Sequence, residues 1–165
     1  MSTRFVIDAL DFAHNAREHR GKIAISELER LQDYLVGNRG DLKYAVTGAL
    51  DNGKPILHIF VQGAISLRCQ RCLGELRHVL DFQADLLLTK TEDELARLDE
   101  CESVDGVLAR SDMDALMLVE DEIILSLPIS PRHGEGECTM GALGCSDSAS
   151  ATPPFAALAQ LKNLH

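Results

Sequence analysis

The stretch ILHIFVQGAISLRCQRCLGELRHVLDFQADLLL, residues 56 to 88, decides the fold. On both sides of its central CQRCLG, apolar residues recur at alternate positions. They are Leu57, Ile59, Val61, Ile65 and Leu67 before it, and Leu76, Leu80, Phe82, Ala84, Leu86 and Leu88 after it. Successive side chains of a strand point to opposite faces, so this alternation is typical of half-buried antiparallel strands. The stretch predicts two such strands, with CQRCLG at the tip between them.

A third strand is predicted immediately upstream. LKYAVTGAL (residues 42 to 50) alternates in the same way, and DNGKP (51 to 55) follows it. Asn-Gly tolerates the positive φ that a tight hairpin requires, so this segment predicts a turn. The fold class is therefore predicted as α+β: an antiparallel β-meander, which could curl toward a barrel, packed by a few short helices.

Two helices are predicted before the meander. ISELERLQDYL (25 to 35) contains an S-x-x-E capping box, in which Ser26 and Glu29 would each satisfy a backbone N–H of the first turn. DALDFAHNAREHRGK (8 to 22) predicts a shorter helix that ends before Gly21.

The length of 165 residues fits one domain, 1–165. Asp114 is a suitable N-cap for a helix that Pro128 would end. The other segments after the meander are predicted as an acidic stretch over 90–112 that holds a short helix (92–99) or a mobile loop, a Gly/Ser-rich loop over 130–152, and a short C-terminal helix over 153–163.

Charge is unevenly distributed along the chain. The net charge is −10, which on average disfavours nucleic acid and favours basic protein partners. The hairpin tip is the basic exception, with Arg68, Arg71 and Arg77. These arginines are either ordinary solvated side chains or a phosphate-binding tip, because guanidinium groups match phosphate geometry.

A row of three carboxylates, Glu120, Asp121 and Glu122, lies in the predicted helix that begins after Asp114. The simple interpretation is a solvated helix face. The functional one is an acidic patch that binds a basic protein partner.

The sequence also excludes several classes of protein. Asp8 and Asp11 interrupt the N-terminus where a secretion signal needs an apolar run, and no stretch reaches the roughly 20 apolar residues of a membrane span. A cytoplasmic location without a membrane partner is expected, with reduced cysteines. No nucleophile elbow, phosphate loop or H-E-x-x-H motif occurs. We therefore expect neither an enzyme nor a small-molecule substrate.

The C-x-x-C at the tip is half of a possible zinc site. Cys69 and Cys72 sit three positions apart, and the glycine after them eases the bend of a knuckle. The remaining ligands would come from His133, Cys138 or Cys145 in the Gly-rich loop, although their spacing is not a second C-x-x-C. The alternative is a pair of partly buried thiols. A redox pair is disfavoured, because such motifs sit at helix N-termini and this one lies between strands.

Three stretches, in this order, resemble the YceD family of large ribosomal RNA subunit accumulation proteins. They are LRCQRCLGEL (67 to 76), LVEDEIILSLPISPRH (118 to 133) followed by Cys138, and PPFAALAQLK (153 to 162). The resemblance covers about residues 40 to 163. It implies a role in 23S rRNA accumulation, in large-subunit biogenesis or rRNA processing, with ribosomal RNA or a pre-ribosomal particle as partner and no enzymatic activity.

The resemblance also bears on the metal. Some family members carry a second cysteine pair after the Leu-Pro, which would complete a zinc site. This chain has Cys138 at a matching place, preceded by His133, so Cys69, Cys72, His133 and Cys138 are the candidate ligands. Two other functions remain as alternatives: an acidic chaperone for a basic ribosomal protein, and a nuclease that holds Mg²⁺ through carboxylates of the acidic stretch.

Overall fold

A long antiparallel hairpin dominates the structure. The computed structural model describes residues 4–99 and 105–138. Its strands are β1 Val6–Ile7, β2 Glu18–Ala24, β3 Leu35–Gly37, β4 Asp41–Asp51, β5 Lys54–Arg68, β6 Glu75–Thr89, β7 Asp105–Leu108 and β8 Met113–Asp114. Its α-helices are α1 Ala9–His14, α2 Glu92–Asp99 and α3 Ala115–Ser126, and 3-10 turns cover Ile25–Glu27 and Leu31–Tyr34.

The predicted meander is confirmed. β4, β5 and β6 are consecutive antiparallel neighbours in a sheet of order β2-β4-β5-β6-β7. Asn52 has φ 50° and Gly53 has φ 79°, as a tight Asn-Gly hairpin requires. Within the described residues β2 and β7 are the two edges of this order, so the sheet is open and not a closed barrel.

The long central strand β5 changes partner along its length. β4 pairs with it as far as Lys43 opposite Gln62, and β3 takes over beside Ser66 and Leu67. Beyond that point β5 pairs with β6 alone, up to Arg68 opposite Glu75. The tip of the hairpin therefore projects past β4.

One hydrophobic core lies against the inner face of the sheet. Leu57, Ile59 and Val61 of β5 are fully buried there, together with Val119 and Ile123 of α3. The helix α1 packs on β4 at Gly48. A Cβ at Gly48 would lie 2.4 Å from the Phe12 carbonyl oxygen, so only glycine permits this approach.

The N-terminal helix is shorter than predicted. Asp8 caps α1, its carboxylate accepting from the Asp11 N–H, and the helix already ends at His14, within two turns. Residues 18–24 form β2 instead, which pairs with β4 along its full length. β2 was not predicted because most of its residues are polar or charged, and charged side chains are typical of the outward face of an edge strand.

The predicted helix over 25 to 35 is wrong. Ala24 precedes the first 3-10 turn without any side-chain cap, so the capping box of Ser26 and Glu29 does not form. Gln32 instead donates to the carbonyls of Ile25 and Leu28, which would otherwise accept within a helix. The side-chain hydrogen bonds of Gln32 therefore favour two short 3-10 turns over the predicted continuous helix.

The later helices follow the sequence more closely. The acidic stretch holds α2 at 92–99, followed by a strand, β7, that was not predicted and runs parallel to β6. Asp114 caps α3 by accepting from the Leu116 N–H at 3.0 Å, and α3 ends before Pro128. The predicted helix over 153–163, and residues 139–152 of the predicted loop, lie outside the described residues. In the part of the chain that the structure describes, no helix is long and apolar enough to span a membrane.

Candidate metal centre

The hairpin tip has a fixed backbone conformation. The Leu73 N–H donates to the Cys69 carbonyl and the Cys69 N–H donates to the Gly74 carbonyl, each at 2.9 Å. Leu73 has φ 60°, a left-handed conformation that is uncommon for leucine and costs free energy. This tight turn brings the two cysteines of the C-x-x-C to the same side of the tip.

The segment that follows α3 returns to this tip. The Gln70 N–H donates to the Pro131 carbonyl at 2.8 Å, which joins the tip to residues 130–138. His133 and Cys138 then reach the two tip cysteines. Cys69 is fully buried, whereas Cys72, His133 and Cys138 are half-buried.

The four side chains form one compact cluster. Their ligand atoms all lie within 4.8 Å of one another. The Cys69 and Cys138 sulfurs are 3.7 Å apart, and His133 Nδ1 is 3.4 Å from Cys72 Sγ and 3.7 Å from Cys138 Sγ. Three thiols and an imidazole around one point are a possible metal site, and these are the four candidate ligands that the sequence proposed.

The second ring nitrogen of His133 is already engaged. Its Nε2 lies 2.9 Å from the Glu75 carbonyl oxygen. A carbonyl can only accept, so Nε2 carries the hydrogen and the neutral ring presents an unprotonated Nδ1 to the thiols. A backbone carbonyl that orients a histidine in this way is a common support of metal ligands.

Hydrogen bonds from the backbone and the closeness of the thiols to one another shift the pKa values of the cluster. Hydrogen bonds, chiefly from the Cys72 backbone, lower the pKa of Cys69 to about 5, against the effect of its burial. At Cys72 the Gly74 backbone lowers the pKa, but desolvation and the neighbouring Cys138 and Cys69 sulfurs outweigh it, so the pKa is raised. Hydrogen bonds to Cys138 and Cys69 raise the pKa of His133. One thiolate is therefore favoured at neutral pH before any metal binds.

Arg71 is part of this cluster. Its Nε donates to Cys138 Sγ at 3.0 Å, and its terminal nitrogen donates to the Gly134 carbonyl at 3.2 Å. The sulfur of Cys138 accordingly raises the pKa of Arg71. The sequence placed Arg71 with the phosphate-binding arginines, and the structure directs its guanidinium at the cysteine cluster.

The other two tip arginines face outward. Arg68 and Arg77 are exposed on the outer face of the hairpin, opposite Glu75 and Ser66 respectively. Neither forms an ion pair with any described residue. Both are sterically available to a partner.

The three carboxylates of α3 do not form one surface. Glu120 is 6% exposed, and its Oε1 accepts from the backbone N–H groups of Arg30 and Leu31 at 2.7 and 3.0 Å. Glu122 is also buried, and Asp121 pairs with Arg30. The expected acidic patch is therefore wrong as a common exposed surface, because two of its three members are buried.

Sequence reasoning missed two supports of the cluster, Arg71 and the Glu75 carbonyl. A carbonyl leaves no trace in the residue type. For Arg71, its position inside the C-x-x-C was the available signal. Cys101 and Cys145 lie outside the described residues.

These observations define a class: a small α+β fold whose hairpin tip and following loop bring three cysteines and one histidine together. The family of large ribosomal RNA subunit accumulation protein YceD matches residues 57–162, which include all four residues of the cluster. The chain belongs to this family, as the resemblance of its motifs implied. It is also 28% identical over 163 residues to the large ribosomal RNA subunit accumulation protein YceD of Haemophilus influenzae, with 94% of each chain covered. No solved structure gives a significant match.

Proposed function

We propose that Cys69, Cys72, His133 and Cys138 hold one structural zinc ion. Zinc–sulfur and zinc–nitrogen bonds of about 2.3 and 2.0–2.1 Å place tetrahedral ligands about 3.8 Å apart for two sulfurs and about 3.6 Å for sulfur and nitrogen. The separations of 3.7, 3.4 and 3.7 Å in the cluster agree with these values. Three thiolates and one neutral histidine leave a zinc site with one negative charge, which Arg71 offsets.

Such an ion would supply a cross-link, not chemistry. All four ligands come from the chain, which is typical of closed structural sites. It would connect the hairpin tip to residues 133–138 and so hold the strained turn at Leu73. No position would remain for a substrate, which supports a non-catalytic role.

We infer that this protein promotes accumulation of the large-subunit ribosomal RNA, 23S rRNA, as a non-catalytic factor in the cytoplasm. Family membership supports the role in rRNA accumulation. The observation that carries direct contact with RNA or a pre-ribosomal particle is the outward pair Arg68 and Arg77, exposed and free of ion pairs among the described residues, on a chain of net charge −10. Nearby Arg71 would act through the cluster and not on phosphate.

A charge reversal of the tip tests this function. In cells depleted of the protein, the ratio of large- to small-subunit rRNA should fall and the wild-type gene should restore it. Arg68→Glu with Arg77→Glu should not restore it, because phosphate contacts become repulsive. The matched control, Lys54→Glu with Arg97→Glu, reverses two cations outside the tip and should restore the ratio.

The outcome separates two parts of the proposal. If depletion leaves the rRNA ratio unchanged, the role in accumulation is wrong. If the tip variant restores the ratio as well as the control does, the accumulation role stands and RNA contact through Arg68 and Arg77 is wrong.

A further inference from the structure

The outer face of the sheet is open in its middle. α2 covers one end of it, where a Cβ at Gly106 would lie 2.9 Å from Leu95 Cδ1 and 3.1 Å from Leu98 Cδ1. Further along, the outward side chains of β2, β4 and β5 line a groove of about 590 Å³. Among the described residues, no helix packs over this groove.

An aromatic ring lines this groove. Phe60 is 39% exposed although it stands on the polar side of β5. Cross-strand pairing puts it in one row with Arg20, Ala45 and Gln83. The small Ala45 on one side leaves a face of the ring accessible. On the other side Gln83, whose Nε2 donates to Asp85, offers its amide oxygen.

Two lysines stand directly opposite each other beside this ring. Lys22 of β2 pairs with Lys43 of β4, and both are exposed. Like charges in directly opposite positions destabilise a sheet. The two facing lysines therefore lower the stability of the unbound protein, and a bound anion would relieve their repulsion.

The acidic neighbours of the groove are partly neutralised. Glu18 contacts Arg20, and Asp85 hydrogen-bonds to His58 Nδ1. Asp41 and Asp81 border the groove on the same face, two positions from Lys43 and opposite Gln62 respectively. The residues that line the groove itself carry Arg20, Lys22 and Lys43 against Glu18, so the groove is positive on an acidic chain.

We propose that this groove binds a segment of single-stranded RNA, with a base stacked on Phe60 and phosphates beside Lys22 and Lys43. An exposed aromatic ring on a sheet face, flanked by cations and amides, is the chemistry that recognises unstacked bases and their backbone. This inference rests on the proposed function, since it assigns a second RNA contact to the same factor. Arg68 lies eight residues along β5 from Phe60, about 27 Å at the rise of a strand, and on the same face. One RNA strand could therefore reach both the groove and the tip.

Binding of a labelled oligouridylate, followed by fluorescence anisotropy between about 50 and 200 mM salt, tests this proposal. Phe60→Leu removes the aromatic face and should weaken binding by roughly 5- to 140-fold, while Phe60→Tyr should retain it. Lys22→Gln with Lys43→Gln should lower the slope of log affinity against log salt by about 1.4, since each phosphate contact on a single strand contributes about 0.7.

Thermal unfolding of the same variants separates binding from structure. Lys22→Gln with Lys43→Gln relieves the repulsion, so its midpoint should be equal to or higher than that of the wild type while its RNA affinity falls. The control, Lys54→Gln with Lys90→Gln, removes two exposed lysines outside the groove and should leave affinity nearly unchanged.

The pattern of affinities separates the groove proposal from the tip proposal. If Phe60→Leu and the groove lysine variant bind like the wild type while the tip variant binds weakly, the groove proposal is wrong and the tip proposal stands. If only the groove variants bind weakly, the groove proposal holds and the tip proposal fails. A wild type that binds no oligouridylate, or that prefers duplex RNA irrespective of Phe60, overturns the groove proposal, and the rRNA ratio after depletion still tests the accumulation role separately.

Discussion

Two buried glutamates of α3, Glu120 and Glu122, have opposite effects on the stability of the fold. Glu120 accepts two backbone hydrogen bonds from the segment after the first 3-10 turn, so its carboxylate replaces the cap that Ser26 and Glu29 do not form. Glu122 has no hydrogen-bond partner among the described residues. Burial, together with the charges of Asp105 and Asp121, raises its pKa. The first glutamate stabilises the fold, and the second is tolerated by it.

Replacing each glutamate should shift the free energy of unfolding in opposite directions. Glu120→Ala leaves the part-buried N–H of Arg30 and the buried N–H of Leu31 unpaired, and should lower the free energy of unfolding by about 2–4 kcal/mol in urea unfolding. Glu122→Gln should raise it by on the order of 1 kcal/mol at pH 7. Because the pKa of Glu122 is higher in the folded than in the unfolded protein, its protonated carboxyl contributes stability at pH values below the unfolded-state pKa. That contribution is lost as the pH rises through the folded-state pKa and the buried carboxyl ionises. The advantage of Glu122→Gln should therefore narrow as the pH falls from about 7 to about 5.

Exposed positions provide the controls for this prediction. Asp121→Ala removes a half-exposed ion pair with Arg30 and also a charge that helps to raise the Glu122 pKa. These small effects oppose each other, so stability should change by less than about 1 kcal/mol. A Glu122→Gln protein that is less stable than the wild type at pH 7 would show that the Glu122 carboxylate has a stabilising partner.

At the residue scale, the candidate ligands were predictable and their supports were not. A C-x-x-C on a hairpin tip and a histidine and a cysteine in a glycine-rich loop are visible in the sequence. The carbonyl of Glu75, which orients His133, depends on the three-dimensional approach of two segments. The burial of Glu120 was likewise hidden, because a carboxylate in a helix is more often solvated.

At the scale of elements, alternation predicted β4, β5 and β6 well because each buries one face on the core. The helix over 25–35 failed, since its pattern of leucines also suits 3-10 turns that pack Leu28 and Leu31 into that core. β7 was missed, because four residues that extend the sheet beside β6 carry no alternation long enough to recognise. The predicted N-cap at Asp114 is confirmed, because this cap depends only on a hydrogen bond between residues two positions apart.

The contact between α1 and β4 gives a prediction at this scale. A Cβ at Gly48 would meet the backbone of Phe12 and Ala13 at 2.4–2.7 Å, and a backbone cannot move aside as a side chain can. Gly48→Ala should displace α1 and lower the free energy of unfolding by about 1–3 kcal/mol.

Gly37→Ala is its matched control. Gly37 also lies in a strand, but a Cβ there meets nothing within 4 Å, so its stability should change by no more than about 0.5 kcal/mol. Equal effects of the two substitutions would mean that lost chain flexibility, and not the close approach of α1, explains Gly48.

At the scale of the whole molecule, the cations proposed to contact RNA lie on one face of an acidic chain. The outer face carries Arg68 and Arg77 at the tip and Lys22 and Lys43 near Phe60, while the inner face forms the core. The net charge of −10 would oppose indiscriminate binding to RNA and confine contact to this face. The Cys69, Cys72, His133 and Cys138 cluster stands at the tip end of this face, and a bound zinc ion would fix how the tip arginines are presented.

Metal content of the protein, purified without chelators, tests the central claim that the tip is built around an ion. We expect one zinc per chain, lost in Cys72→Ser and retained in the control Ser66→Ala, a substitution at the same end of the hairpin that leaves all four ligands in place. Chelation should also make residues 130–138 more sensitive to protease, because the cross-link to the tip is removed. A protein that contains no zinc, or whose zinc survives the loss of Cys72, would show that the tip is not built around a zinc ion held by this cluster.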